Sequence, residues 1–181
     1  MRMWTGKGDD GTTGLLFGGR VRKDDPGPEA CGTVDEAQAA IGVARAESER
    51  GGELDTLLVG LERDLWVLMA ELATAPDNRA KLTPGATAVT PEMVAALEAA
   101  TDALATRFDP PTEFVLPGQD RLAALLDVAR TVVRRAERAA VAVAVPGSSV
   151  IPYLNRLSTL LWTMARWQEG TALPARETKE P

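Results

Sequence analysis

The chain contains no histidine, one cysteine and only 4% aromatic residues among its 181 positions. Without histidine, the usual zinc-hydrolase ligand sets and a Ser-His-Asp triad are excluded. A single thiol, Cys31, rules out an internal disulfide framework. With no imidazole to activate it, Cys31 reads as a packing residue rather than a nucleophile. Apolar runs stop well short of the about 18 residues that a membrane span needs, and the N-terminus lacks a signal-peptide core. The expectation is a cytoplasmic protein with no membrane partner. Net charge is −6, which argues against a general nucleic-acid binder, since such proteins are normally basic. If the chain is an enzyme, its substrate carries the reactive atom.

What is present is aliphatic and alanine-rich, a composition that favours helices over strands. One stretch organises the rest. Ala129 to Ala139 reads ARTVVRRAERA, and on a helix Arg130, Arg134 and Arg138 recur every four residues. Glu137 lies one turn after Arg134 and joins the same stripe. Leu122, Leu125, Leu126, Ala129, Val133, Ala136 and Ala140 form an apolar stripe opposite, fit for burial. Guanidinium groups are planar donor forks suited to phosphate oxygens.

Taken in order, residues 1–32 read as an irregular glycine-rich arm. Gly6, Gly8, Gly11, Gly14, Gly18 and Gly19 break any period, and Thr12 and Thr13 add hydroxyl donors. Such a loop can bring backbone N–H groups close to phosphate. It is not a Walker loop, because Gly6-Lys7 is followed by Gly8. A first helix is expected from Thr33, as its cap, to about Arg50, with Asp35 and Glu36 in its first turn. Gly51-Gly52 stops it. Leucines at helical spacing predict a second helix from Glu53 to about Thr74, with Trp66 and Met69 in the core. Residues 75–89 read as a polar connector.

Thr90-Pro91 opens a third helix, cap then proline, running to about Phe108. A short apolar segment, Thr112 to Gly118, leads into a fourth from about Gln119 to Val145. A fifth runs from about Pro152 to Glu169 and closes at Gly170. The fold class expected is all-α: a five-helix up-and-down bundle over 33–170 behind the arm, with 171–181 a frayed tail.

Several segments then resemble a known family. Thr5-Gly6-Lys7-Gly8-Asp9-Asp10-Gly11-Thr12-Thr13, Arg20-Val21-Arg22-Lys23-Asp24-Asp25 and Gly32-Thr33-Val34-Asp35-Glu36 look like the opening of PduO-type ATP:cob(I)alamin adenosyltransferases. Phe114-Val115-Leu116-Pro117-Gly118, Arg134-Arg135-Ala136-Glu137-Arg138 and Tyr153-Leu154-Asn155-Arg156-Leu157-Ser158 resemble its later motifs, in the same order. The resemblance spans about residues 4–168.

It implies transfer of the 5′-deoxyadenosyl group of ATP to the cobalt of cob(I)alamin or another reduced corrinoid, releasing triphosphate. It implies a homotrimer with active sites between subunits, Mg²⁺ accompanying ATP, and a corrinoid reductase and an adenosylcobalamin-dependent enzyme as further partners. By family pattern Thr5, Gly6, Lys7, Gly8, Thr12, Thr13 and Lys23 would hold the nucleotide, completed by Arg134, Glu137, Arg138 and Asn155. Asp35 and Arg130 resemble a pair that bridges subunits beside the corrinoid, and Phe114 the aromatic that crowds out its lower ligand. No metal-ligand set is assigned. Gly6 and Lys7 stand where the family usually has a basic residue and a threonine, Gln38 stands at an asparagine position, and Thr159 where aspartate is common. The alternative reading is a non-catalytic corrinoid carrier or ATP sensor on the same bundle.

Overall fold

The computed structural model describes residues 3–176; Met1, Arg2 and residues 177–181 lie outside the described residues. The fold is all-α, with two short two-stranded ribbons attached. Five α-helices follow in chain order: α1 (Pro26–Ala46), α2 (Glu53–Leu72), α3 (Pro91–Ala105), α4 (Arg121–Val141) and α5 (Val150–Glu169). A 3₁₀ helix, Pro76–Lys81, lies within the connector between α2 and α3. No helix among the described residues is long and apolar enough to cross a membrane.

Helix α4 packs most extensively against α1 and α5, while α2 lies on α1 and α3 on α5. Small side chains explain the first contact. Ala30, Ala37 and Ala44 of α1 and Ala129, Ala136 and Ala140 of α4 are fully buried, so the two backbones approach closely. Val34, Ile41, Leu126, Val133, Leu154, Leu157 and Leu161 fill the space around them. Each such aliphatic side chain contributes about 1.5–3 kcal/mol by leaving water.

The predicted stripe on α4 is buried as expected, save that Leu122 and Leu125 are only partly covered. The predicted cap before α3 acts as expected, and α4 has a cap that was not predicted. Thr90 Oγ1 accepts from Met93 N at 3.3 Å, and Asp120, one residue after the predicted start at Gln119, accepts from Ala123 N at 2.9 Å.

Several boundaries differ. Helix α1 begins at Pro26, not Thr33, because Pro26 and Pro28 supply fixed φ angles in a first turn that needs no N–H partner. Thr33 is therefore interior, its hydroxyl turned back to Ala30 O at 2.9 Å. The helix also ends at Ala46 rather than Arg50. Trp66 is not core: it is 69% exposed, since it falls on the far side of α2 from Leu65 and Leu68. Helix α4 stops at Val141, four residues before Val145.

The arm is not irregular throughout. Strands β1 (Thr12–Gly14) and β2 (Arg20–Arg22) pair antiparallel, Thr13 opposite Val21. Nor is the C-terminal segment frayed where it is described. Strand β4 (Leu173–Pro174) pairs antiparallel with β3 (Val115–Leu116), and Ala175 N donates to Phe114 O at 2.7 Å.

Candidate active site

The arm is held by its own backbone and by one arginine. Gly6 and Gly11 have φ of +69° and +77°, the left-handed region that only glycine enters without strain. They close turns with Asp9 N to Gly6 O and Gly11 N to Gly8 O, both 3.2 Å. The departure from a basic residue at Gly6 thus coincides with a turn that needs glycine. Thr5 Oγ1 accepts from Lys7 N at 3.4 Å.

Arg20, quoted in a motif but given no role by the sequence reading, clamps the loop from β2. Its guanidinium donates to Lys7 O at 2.7 Å and to Thr12 Oγ1 at 2.6 Å. The Thr12 hydroxyl in turn donates to Asp10 Oδ1 at 2.8 Å, and this bond, with the Thr12 N–H, holds the Asp10 carboxyl below its ordinary range. Lys23 lies over Gly8, where an added Cβ would sit 2.9 Å from its Nζ. A hydrogen bond from Leu16 N to Ala73 O, 2.8 Å, pins the far side of the arm to the end of α2.

Thr13 and Asp35 line one cavity of about 220 Å³ together with Cys31 and Met69. Cys31 is half-buried, its Sγ 3.9 Å from Met69 O. Burial first, and the Asp35 charge second, push its thiol up, so it stays protonated at neutral pH and acts as a packing group.

On α4 and α5 a second group forms. Asn155 Nδ2 donates to Glu137 Oε1 at 3.1 Å, and Asn155 Oδ1 accepts from Arg156 at 2.6 Å. Arg134 and Arg138 are exposed, and neither side chain has a partner among the described residues. Their neighbour Arg135 differs, being paired with Glu36 of α1. Gln38, at the departing position, donates to Glu62 O at 2.9 Å and ties α1 to α2.

Arg130 and Phe114 make a third group, sharing a cavity of about 510 Å³ with Pro117, Asp127, Trp162 and Arg166. Phe114 is 90% exposed. Arg130 Nε donates to Asp127 Oδ1 at 2.9 Å. Asp127 and Arg166 were absent from the sequence reading. A carboxylate beside Leu126, three residues before a stripe arginine, was the available signal.

Within one chain these groups stay apart. No interaction among the described residues joins Thr5, Lys7, Thr12, Thr13 or Lys23 to Arg134, Arg138 or Asn155. Asp35 and Arg130 likewise line different cavities.

The comparisons agree with one another. The family model described as cobalamin adenosyltransferase matches residues 3–168. A corrinoid adenosyltransferase of Citrobacter freundii is 40% identical over 173 residues, covering 94% of this chain and 96% of its own. One from Mycobacterium bovis is 42% identical over 170 residues, covering 91% and 87%. Among solved structures, a variant PduO-type ATP:corrinoid adenosyltransferase from Lactobacillus reuteri, complexed with cobalamin and ATP, superimposes with a TM-score of 0.86 at 27% identity. It covers 98% of both chains. By sequence and by fold, the chain belongs to the cobalamin adenosyltransferase family.

Proposed function

We propose that the protein transfers the 5′-deoxyadenosyl group of ATP to the cobalt of a reduced corrinoid, with the glycine-rich arm of one subunit facing the arginine stripe of the next. One observation carries this reading. Arg134 and Arg138 are exposed without a partner among the described residues, within one turn of an Asn155–Glu137 pair that is already set. Donors without an acceptor among the described residues suit a polyphosphate that comes from outside the chain. The proposed architecture is a five-helix up-and-down bundle from Pro26 to Glu169 behind a nucleotide-binding arm, assembled as a homotrimer in the cytoplasm.

Reduced cob(I)alamin enters as substrate and is itself the nucleophile. Its cobalt lone pair forms the Co–C bond to C5′ as the C5′–O bond breaks, and triphosphate leaves with that electron pair. The protein's task is position and electrostatics. Triphosphate gains charge as it departs, so Arg134, Arg138, Lys7 and Lys23 stabilise the transition state more than bound ATP. The arm fits this role: Arg20 and the glycine turns preset the Lys7 and Thr12 backbone, which limits reorganisation during reaction.

Magnesium fits as well. It is held by one or two carboxylates plus substrate phosphates rather than by a protein cage, and Glu137 has one oxygen on Asn155 and the other without a partner among the described residues. Bound with ATP, the ion would neutralise phosphate charge. Phe114, almost fully exposed at the rim of its cavity, supports a role for that side chain against the face of the corrinoid ring. Asp35 of one subunit would meet Arg130 of another there.

The test is anaerobic. Chemically reduced cobalamin with Mg-ATP should yield the absorbance of a cobalt–carbon bond and an equal amount of triphosphate. Binding of both ligands with neither product would overturn the transferase reading in favour of a carrier.

A further inference from the structure

We propose that Asp127 is a positioning residue for this reaction: anchored from behind by Arg166, it fixes the Arg130 guanidinium at the Phe114 cavity with its outer nitrogens left free. The inference rests on the transferase reading above, and adds Asp127 and Arg166, which that reading does not use.

Asp127 is 4% exposed and Arg166 3%, both within the contact between α4 and α5. A carboxylate is costly there unless paired and hydrogen-bonded. Here its two oxygens are divided. Oδ2 accepts from Arg166 NH2 at 2.6 Å, and Oδ1 accepts from Arg130 Nε at 2.9 Å. Arg166 is itself held, with Nε 2.7 Å from Glu169 Oε1 and its guanidinium 5.8 Å from the centre of the Trp162 ring.

Two carboxylates and two guanidinium groups therefore alternate along one line: Glu169, Arg166, Asp127, Arg130. The line decides between two roles. Arg166 also reaches Glu169, and a single oxygen of Asp127 suffices to hold it. The second oxygen of Asp127 serves Arg130, the only member of the line that reaches the surface. Capture through Nε leaves both terminal nitrogens of Arg130 unpartnered among the described residues, and a free arginine would otherwise sample many rotamers. Arg130 thus meets its corrinoid-side partner pre-oriented, so less conformational freedom is lost on binding.

The experiment uses the full chain. KM for cob(I)alamin and for ATP, corrinoid affinity by visible absorbance and the thermal midpoint are measured for Asp127→Asn, Arg130→Lys and Arg130→Ala, and for Asp127→Asn combined with Arg130→Ala. Asparagine cannot accept from both guanidinium groups, and lysine has no Nε–H fork. Each single change is expected to raise the corrinoid KM about tenfold, the scale of one charge-assisted hydrogen bond, while KM for ATP stays unchanged. The double variant should be no worse than Arg130→Ala. A corrinoid KM within about twofold of the parent in Arg130→Lys overturns the inference. So does an Asp127→Asn variant in which both KM values rise together with a fall in thermal midpoint, or additive loss in the double variant. If the parent itself makes no Co–C bond, the transferase reading fails alone, and corrinoid affinity of the same variants still decides the role of Asp127.

Discussion

Arg134 and Arg135 are neighbours on α4, yet of the two only Arg135 is paired among the described residues. The proposed role of Arg134 at the polyphosphate rests on that difference. Arg134→Ala is expected to lower kcat by about 10²–10³-fold, or roughly 3–4 kcal/mol, the cost of removing one transition-state donor. The helical circular dichroism and thermal midpoint should hold, because an exposed, unpaired side chain contributes little to stability. Asp64 presents the opposite case. Burial pushes its carboxyl above the ordinary range, partly offset by the Tyr153 hydroxyl, which donates to Oδ2 at 2.9 Å. A carboxyl whose folded pKa is raised binds its proton more tightly in the folded state. Its contribution to stability is complete below the unfolded value, about pH 4, and is lost as pH rises through the folded value. Asp64→Asn keeps an acceptor for Tyr153 and should remove that downward slope, leaving the variant at least as stable as the parent at neutral pH. Urea unfolding across a pH series measures this, and an unchanged slope would show that Asp64 does not cause it.

Elements position these side chains by means outside their own sequence. The segment bearing Phe114 has no helix to hold it. It is kept in place by β4 and by the bond from Ala175 N to Phe114 O, some sixty residues further along the chain. Deleting everything after Gly170 should therefore loosen Phe114 while α4 and α5 remain folded. The expected outcome is a several-fold higher KM for the corrinoid with KM for ATP unchanged, and steady-state kinetics with each substrate varied in turn would show it. An equal change in both constants would mean that the C-terminal strand supports the whole protein. Glu71 plays a comparable part on the other side. Buried at 3% exposure, it accepts from Arg79, from Val89 N and from Ser148 Oγ at 2.6–2.7 Å. One carboxylate thus ties the 3₁₀ helix, the approach to α3 and the α4–α5 turn together.

At the scale of the whole molecule, the residues assigned to one site occupy three places on the chain. The proposed trimer would reunite them, and mixing tests it. Lys23→Ala damages the arm and Arg134→Ala damages the stripe. If each site takes its arm from one subunit and its stripe from another, unfolding and refolding the two variants together should restore activity that neither has alone. No recovery, in mixed assemblies whose composition is checked by native mass spectrometry, would place both halves of a site within a single 19.2 kDa chain.

Helix number, helix order and the burial of α4 were legible in the sequence because they depend on local periodicity. Leu126, Ala129, Val133 and Ala136 are buried whatever their partner, and Thr90-Pro91 starts α3 from adjacent residues alone. The proposed site stood in the sequence as motifs, since Arg134, Glu137 and Arg138 share a helix face. Other features depended on groups distant along the chain, which no local pattern can report. Strands β1 and β2 needed each other, β4 needed β3, and Trp66 was left outside by the way α2 lies on α1. Asp127 is the clearest instance. Its side chain is tolerable inside the protein only because Arg166, thirty-nine residues later, arrives beside it, and only folding could bring that charge to it.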